Sequence, residues 1–362
     1  MFLKKTQDIL SWKSNRKILV LESDDWGSLR FASTDSFKHF NLGELDVYGR
    51  LDQFEGLEDL VALKQVFSKY RDRFGKHPIL TANVAVANPD IAKIKDKSWN
   101  SYYYETSCQT FQRLGKGEVW SLWLEMISDG FVKPQFHCRE HLNIYDFQKY
   151  FQSPSSVKSR AIFEQDHFGF MTSDNSSLKG NFQAAWDYTT EDGYQEVATS
   201  IKEGLHIFRE LYGFNSKTAI APSYTWNRRI EKLLAAEGVL GLQGIARRKN
   251  PRGGKNLLFS NLRYTGRKNA FKQTNLVRNA FFEPSHSEVF GAEICLKRIE
   301  DAFEKGIPAI VGTHRVNFMG GADQENRDKN LEAFDGVLKQ LVLKYPDIEF
   351  RASDELIDII ND

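Results

Sequence analysis

The sequence predicts an α/β fold in which mainly parallel strands form a distorted (β/α) barrel. Short apolar runs alternate with segments of helical periodicity along most of the 362 residues, as in parallel α/β folds. Polar residues suited to catalysis directly follow several runs, and the carboxyl ends of barrel strands meet at one mouth. No repeat, low-complexity stretch or evident linker interrupts the chain, so we expect a single domain over residues 1–362.

Seven apolar runs have the length and composition of buried strands. The first, KILVLES, stops at the charged pair Asp24-Asp25, and two later runs end at His137 and His314. The predicted strands cover residues 17–23, 77–88, 131–137, 216–224, 239–244, 307–314 and 348–352.

The segments between these runs carry apolar residues at helical spacing. Several of them stop at a glycine, such as Gly75, Gly130 or Gly213. The predicted helices cover residues 57–73, 117–130, 191–212, 227–238, 288–306, 328–344 and 353–360. Two stretches, 140–190 and 247–287, break the alternation, and we expect them to be long insertions at the barrel mouth.

The composition is typical of a globular protein, with 41% hydrophobic and 27% charged residues. The formal net charge is +1, so a chain-wide basic surface for nucleic acid is missing. Three widely spaced cysteines form no disulfide framework. The sequence begins with no secretory leader and contains no apolar run of about 18 residues, which predicts a cytoplasmic protein without a membrane span.

The segment PQFHCREHLN, residues 134–143, contains a candidate pair of metal ligands. His137 and His141 stand four residues apart, a spacing at which two imidazoles can share a metal ion. One hypothesis takes H-x-x-E-H as a zinc-protease motif with Glu140 as general base. The other takes the histidines as a plain ligand pair, and it is favoured because Pro134 and the apolar residues before His137 indicate a strand end rather than a long helix.

An acidic pair and a late histidine are the other candidate site residues. Where a strand ends, the chain turns, so Asp24 and Asp25 can both reach one site. Two close carboxylates repel, so we expect a cation to hold one ionised while the other moves protons, unless the pair only caps a helix. His314 is placed to protonate a leaving group, or else is a hydrogen-bonded histidine at a strand end.

The order of these segments resembles that of the polysaccharide deacetylases of carbohydrate esterase family 4. The family's first motif, T-F-D-D-G, is similar to ESDDWG at residues 22–27, and its second, H-[ST]-x-x-H, is similar to HCREH at 137–141. Its third, R-x-P-Y, is partly matched by APSY at 221–224, and its last, L-x-x-H, by VGTH at 311–314. The resemblance spans roughly residues 17–355.

The resemblance implies a distorted (β/α) barrel of the polysaccharide deacetylase type and a role for each matched residue. Asp24 would be the catalytic base and His314 the general acid. Asp25, His137 and His141 would hold one divalent metal ion, expected to be Zn²⁺, which polarises the acetyl carbonyl and acidifies a water.

The motifs depart from the family in three places. Ala221 stands where the family has an arginine that orients the base, so this support is either lost or supplied from elsewhere, with Arg139 and Arg315 as candidates. The family's acidic, tryptophan-containing motif, which tunes the acid histidine, has no counterpart in the sequence. Cys138 replaces a hydroxyl residue and is expected to be a packed thiol. A backbone N–H near Tyr224 is expected to stabilise the oxyanion.

The sequence therefore predicts a metal-dependent hydrolase that removes an N- or O-linked acetyl group from a saccharide or glycan precursor. Tyr224, Trp26 and Trp226 are candidate substrate-binding residues, although both tryptophans could equally serve packing. The alternative is a non-catalytic carbohydrate-binding protein on the same fold. The basic segment ARRKNPRGGK, residues 246–255, is either a solvated turn or a contact for a phosphate on a nucleotide-linked or lipid-linked sugar.

Overall fold

The architecture was obtained from a computed structural model of the chain. It describes residues 2–39, 45–152, 156–168, 182–252 and 262–362. Parts of the two expected insertions, and the end of the basic segment 246–255, lie outside these residues.

Within the described residues, nine strands form one sheet in which every pairing is parallel, and two short strands form a separate antiparallel pair. The strands are β1 (Lys17–Trp26), β2 (Leu80–Ala85), β3 (Ala87–Pro89), β4 (Tyr104–Thr106), β5 (Val132–Cys138), β6 (Thr218–Ala219), β7 (Gly241–Gly244), β8 (Thr274–Val277), β9 (Ala280–Phe281), β10 (Ala309–His314) and β11 (Ile348–Arg351). The sheet order is β8-β7-β6-β5-β2-β1-β10-β9, and β11 pairs with the first half of β1.

Helices connect most of these strands. They are α1 (Phe2–Leu10), α2 (Val47–Leu51), α3 (Leu57–Ser68), α4 (Ile91–Asp96), α5 (Ser107–Arg113), α6 (Gly117–Ser128), α7 (Ile144–Phe151), α8 (Val157–Phe163), α9 (Glu191–Tyr212), α10 (Arg228–Ala236), α11 (Ala292–Glu304), α12 (Gln324–Lys344) and α13 (Ser353–Asn361). Among the described residues, no helix combines the length and apolar character that crossing a membrane requires.

The connection from β8 to β9 shows that the sheet curls into a barrel. These strands lie at opposite ends of the sheet order, yet only residues 278 and 279 separate them. Three residue steps span at most about 11 Å, so the two edges of the sheet must lie side by side. The expected (β/α) barrel is thereby confirmed. Two sheet strands also fall inside 247–287, so that stretch is not simply an insertion at the mouth.

The apolar character of β1 follows from its central place in the sheet. Residues 18–21 are at most 2% exposed, and β1 pairs with β2, β10 and β11. A parallel strand covered on both faces needs apolar residues in succession rather than in alternation. The apolar run ends at Asp24 and Asp25, which are still at most 3% exposed although they belong to the end of the strand at the barrel mouth.

Helix α9 packs closely against the strand that carries the first histidine of the pair. Thr190 caps its first turn by accepting a hydrogen bond from the Gly193 amide, and Gly213 ends it with φ of 77°. At Gly204 an added Cβ would lie 2.8 Å from the Phe136 ring. The small residue therefore lets the helix approach β5 and fix the end of that strand.

Three predicted strands, 17–23, 131–137 and 307–314, coincide with β1, β5 and β10. The expected strand 216–224 is much shorter, since β6 contains only Thr218 and Ala219. The chain then forms a tight turn at Pro222–Tyr224, in which Ser223 and Tyr224 have φ of 54° and 55°. Helix α1 has no counterpart among the predicted elements.

Candidate active site

One cavity of about 270 Å³ opens at the carboxyl ends of the barrel strands. Asp24 and Asp25 reach it from β1, His137 from β5 and His314 from β10, while His141 follows β5 in a loop. The fold thus brings together all five residues for which the sequence predicts a metal-binding or acid–base role. Tyr224 lies on the same wall.

Asp25, His137 and His141 form a candidate metal centre. Oδ1 of Asp25 lies 3.3 Å from Nε2 of His137 and 3.2 Å from Nε2 of His141. One potential ligand atom from each of the three side chains lies within 4.8 Å of the others, and all three residues are at most 9% exposed. Two imidazoles and a carboxylate are a common ligand set for a catalytic divalent ion.

The other ring nitrogen of each histidine is held by an oxygen. Nδ1 of His137 lies 2.9 Å from the Ile220 carbonyl, and Nδ1 of His141 lies 3.1 Å from the Gln183 side-chain oxygen. Both Nδ1 atoms therefore carry the proton and donate it, which leaves each Nε2 lone pair facing Asp25. Burial, with the nearby Arg30 charge, lowers the pKa of His141 to about 4, so this imidazole is neutral at neutral pH.

A neutral imidazole lone pair and a carboxylate oxygen at 3.2 Å repel unless a cation lies between them. The donor set therefore fits a divalent ion. Arg30 positions the carboxylate by donating from Nη2 to Asp25 Oδ2 at 2.9 Å, and it also donates to the Gln183 oxygen. The Gln183 amide is oriented by its own donation to the Phe168 carbonyl. Although burial raises the pKa of Asp25, the Arg30 charge holds it well below its usual range.

A local irregularity of β1 aims both carboxylates into the cavity. The pairing of β1 with β2 shifts register between Ser23 and Trp26, and Asp25 adopts φ of 77°. In a regular strand, neighbouring side chains would point to opposite faces. A left-handed backbone at a non-glycine residue costs free energy and is retained where the surrounding structure enforces it.

Arg278 supplies the arginine that the resemblance placed at position 221. Its Nη2 donates to Asp24 Oδ1 at 2.6 Å and its Nη1 donates to Asp24 Oδ2 at 2.8 Å, while Asn83 donates to Oδ1 at 2.7 Å. Burial alone would raise the pKa of Asp24. The Arg278 charge and hydrogen bonds, followed by the charge of His314, lower the pKa of Asp24 to about 2.

Residues on β1 and β10 surround the Arg278 side chain. Its Nε donates to Glu22 at 2.7 Å, and its Nη1 also donates to the Tyr224 hydroxyl at 3.0 Å. An added Cβ at Gly312 would lie 2.4 Å from the Arg278 side chain, so the glycine of VGTH makes room for the arginine.

The two candidate replacements for the missing arginine lie elsewhere. Arg139 pairs with Glu140 and Glu203. Arg315 pairs with Asp52 and Glu55. Neither pairs with Asp24, and both expectations are corrected in favour of Arg278.

Glu283 supplies the acidic partner of His314 that the motifs lacked. Its Oε1 lies 2.5 Å from Nδ1 of His314, and Asn317 donates to its other oxygen at 2.7 Å. Burial lowers the pKa of His314, but the charge and hydrogen bond of Glu283, followed by the Asp24 and Asp25 charges, raise it to about 9. The imidazole is therefore protonated at neutral pH, with Nε2 3.7 Å from Asp24 Oδ2.

The backbone amide of Tyr224 is not available to an oxyanion. It donates to the Ala221 carbonyl at 2.9 Å and closes the turn. The side chain of Tyr224 lines the cavity instead, where its hydroxyl accepts from Arg278 and keeps its own proton for donation.

Trp26 and Trp226 lie in the interior rather than on the cavity wall. Trp26 is fully buried, donates to Ser23 and stacks on Trp123 with ring centroids 5.2 Å apart. Trp226 is 2% exposed and donates to Glu231 at 3.2 Å. Neither indole face is open to a sugar ring, so both tryptophans serve packing.

The geometry of HCREH does not suit the protease hypothesis. His137 belongs to a strand, and His141 lies in a loop before α7 begins at Ile144, so the two do not share a helix. Glu140 is held by Arg139 and by the Ser200 hydroxyl. Cys138 is fully buried, which raises the pKa of its thiol, as expected of a packed cysteine.

Arg278 and Glu283 were missed because they lie in the stretch interpreted as an insertion. The signal that could have found them is the run TNLVRNAFF, residues 274–282, whose apolar residues flank one arginine. A single buried arginine inside a strand-like run needs a carboxylate partner.

No protein-family model and no curated protein matches the sequence. Among solved structures, a probable polysaccharide deacetylase from Pseudomonas aeruginosa is similar at 12% identity and a TM-score of 0.47, covering 95% of this chain and 91% of that one. The Puue allantoinase is similar at 10% identity and a TM-score of 0.49, covering 96% and 91%. A CE4 family pseudoenzyme from Bacillus anthracis is similar at 10% identity and a TM-score of 0.40, covering 95% and 66%. At these values the similarities carry no conclusion on activity.

Proposed function

We propose that this protein is a metal-dependent hydrolase that removes an acetyl group from a saccharide or glycan precursor. The observation that carries the proposal is the arrangement of three units around one cavity. These are the Asp25–His137–His141 ligand set, an ionised Asp24 and a protonated His314. Such a set suits ester or amide hydrolysis by water, because the water must lose a proton and the leaving group must gain one.

The metal ion, expected to be zinc, would polarise the acyl carbonyl and acidify the attacking water. Asp24 is the proton acceptor in this proposal. Its Oδ1 already accepts two hydrogen bonds, from Asn83 and Arg278, whereas Oδ2 accepts one and keeps a lone pair free. A carboxylate with a pKa of about 2 is a weak base, so Asp24 can act only on a strongly acidified water.

His314 is the proton donor in this proposal. With a pKa of about 9, its imidazolium is populated at neutral pH and can protonate a departing amine or alkoxide. Glu283 fixes the ring through Nδ1, so Nε2 faces the cavity. After the reaction, Asp24 releases the proton that it accepted, since its pKa is about 2. The neutral imidazole regains a proton from solvent, because His314 keeps 22% of its side chain exposed.

The polar wall of the cavity supports a saccharide as the acyl carrier. Asp46 offers acceptors, Lys249 offers donors, and the hydroxyls of Tyr48 and Tyr224 can do both. Such groups suit sugar hydroxyls better than an apolar ester.

The test is acetate release from a panel of O- and N-acetylated saccharides by metal-loaded protein. Asp24→Asn should abolish release while the protein still binds metal and sugar, and His314→Gln should slow it most for poor leaving groups. Lys339→Gln, on the exposed side of α12, is the control. If the wild-type protein binds sugars but releases no acetate from any of them, the non-catalytic carbohydrate-binding alternative replaces this proposal.

A further inference from the structure

A second cavity, of about 370 Å³, concentrates positive charge beside β7 and β8. Five of its nine lining residues are basic: Arg228, Arg248, Arg263, Arg267 and Lys268. Glu231 is the single acidic residue among the nine. Because the whole chain has a net charge of +1, this cluster does not reflect the overall composition.

Arg263 forms the floor of this basic cavity and has no ion-pair partner among the described residues. It is 5% exposed, and it donates to the Asn275 side chain at 2.8 Å and to the carbonyls of Leu242 and Ile245 at 2.8 and 3.2 Å. These neutral acceptors occupy three of its five N–H groups. An added Cβ at Gly244 would lie 2.8 Å from Arg263 Nη1, so the fold leaves room for this buried cation.

The remaining charges of the cavity are poorly compensated. Arg248 pairs with Glu231 at 3.4 Å, and the same carboxylate accepts a hydrogen bond from Trp226. Burial and the like charge of Arg248 together lower the pKa of Arg263 to about 9, although Glu231 opposes the shift. A buried cation without a counter-charge is costly, and a bound anion would remove that cost.

We propose that the basic cavity binds a phosphoryl group, with Arg248 and Arg263 at its floor and Arg267 and Lys268 at its exposed rim. Guanidinium groups match phosphate oxygens in bidentate geometry. The excess of basic over acidic residues in this cavity suits a ligand with two negative charges, such as a phosphoryl group, better than a ligand with one, such as a carboxylate. This binding does not depend on the proposed hydrolysis.

The basic cavity adjoins the candidate active site. Lys249 lines the catalytic cavity while its neighbour Arg248 lines the basic one. The Trp226 ring packs against both basic residues at the floor, 5.6 and 4.7 Å from the guanidinium carbons of Arg248 and Arg263. The phosphoryl group can therefore come from a phosphorylated saccharide that reaches both cavities or from a free phosphate anion.

The experiment is calorimetric titration of the metal-loaded full chain with inorganic phosphate and pyrophosphate at constant ionic strength. The double variant Arg267→Ala/Lys268→Ala removes two exposed rim charges, and Lys202→Ala/Lys339→Ala removes two exposed charges elsewhere. We expect the rim variant to weaken binding by about tenfold for each charge removed, and the control variant to leave it unchanged. Asp25→Ala should also retain binding, since its change lies in the other cavity.

Three results would overturn the proposal. The first is that the wild-type chain binds neither phosphate nor pyrophosphate measurably. The second is that the rim and control variants weaken anion binding equally. The third is that Asp25→Ala loses anion binding, which would place the anion in the catalytic cavity. N-acetylglucosamine 1-phosphate distinguishes the two sources. If this compound binds more tightly than both phosphate and N-acetylglucosamine, and the rim variant loses that tighter binding, the result supports a phosphorylated saccharide. If its affinity equals that of phosphate, the result supports a free anion.

Discussion

Replacement of Glu283 by glutamine should lower the pKa of His314 and thereby test the assignment of the general acid. The carboxylate lies 2.5 Å from His314 Nδ1, and burial would otherwise lower the pKa that Glu283 helps to raise to about 9. Glutamine keeps an oxygen that can accept from Nδ1 but removes the negative charge. Asp24 and Asp25 remain as weaker sources of the upward shift.

The expected size of the effect follows from the shift itself. Relative to an ordinary histidine pKa of about 6.5, a value of about 9 corresponds to about 3.4 kcal/mol of preferential stabilisation of the imidazolium. We expect Glu283→Gln to remove about two pKa units. At pH 8 the protonated fraction should then fall from about nine-tenths to about one-tenth, while near pH 5 it should stay close to one.

The primary assay is NMR titration of the histidine ring protons, with the His314 signal identified by its absence in His314→Gln. The alkaline limb of the pH–rate profile for acetate release should move down by the same two units. Glu288→Gln, an exposed carboxylate five residues away, is the control for charge loss. If His314 titrates near 6.5 in the wild-type chain, or if Glu283→Gln leaves its titration in place, the assignment of His314 as a protonated acid is refuted.

The same change has a consequence for stability that does not depend on activity. The pKa of His314 is higher in the folded chain than in the unfolded chain, so protonation of His314 stabilises the fold. This stabilisation is fully present below about pH 6.5 and is lost as the pH rises through about 9. The free energy of unfolding of Glu283→Gln should therefore depend less on pH across this interval than that of the wild-type chain.

Three further predictions concern the metal ligands, the packing of α9 and the barrel-closing arginine. By elemental analysis, Asp25→Ala should lose a bound divalent metal that Glu140→Gln retains; retention by both would exclude Asp25 as a ligand. Gly204→Ala should destabilise the fold by about 1–3 kcal/mol in urea unfolding, because its Cβ meets an aromatic ring, whereas Gly336→Ala, with open space around it, should be neutral or stabilising by up to about 1 kcal/mol. Arg278→Met should cost about 3–5 kcal/mol, because two buried carboxylates lose their cation, and a loss below about 1 kcal/mol would contradict that account.

The strands that deliver the candidate site were predictable from local sequence. Apolar runs of strand length ending at Asp24-Asp25, His137 and His314 correspond to β1, β5 and β10, and their polar ends meet at one cavity. The spacing of His137 and His141 was equally informative, although one lies on a strand and the other in a loop. These features depend on residues close together in the chain, so their pattern is visible without the fold.

The partners that set the charge of each site residue were decided by the tertiary structure. Arg278 contacts Asp24 across 254 positions of sequence, and Glu283 contacts His314 across 31. Arg278 reaches Asp24 because β8 and β9 close the barrel. The local sequence does not predict this closure, since it shows only one arginine in a short apolar run. The location of a strand depends on its own residues, whereas the partner of a buried charge depends on which strands become neighbours when the sheet closes.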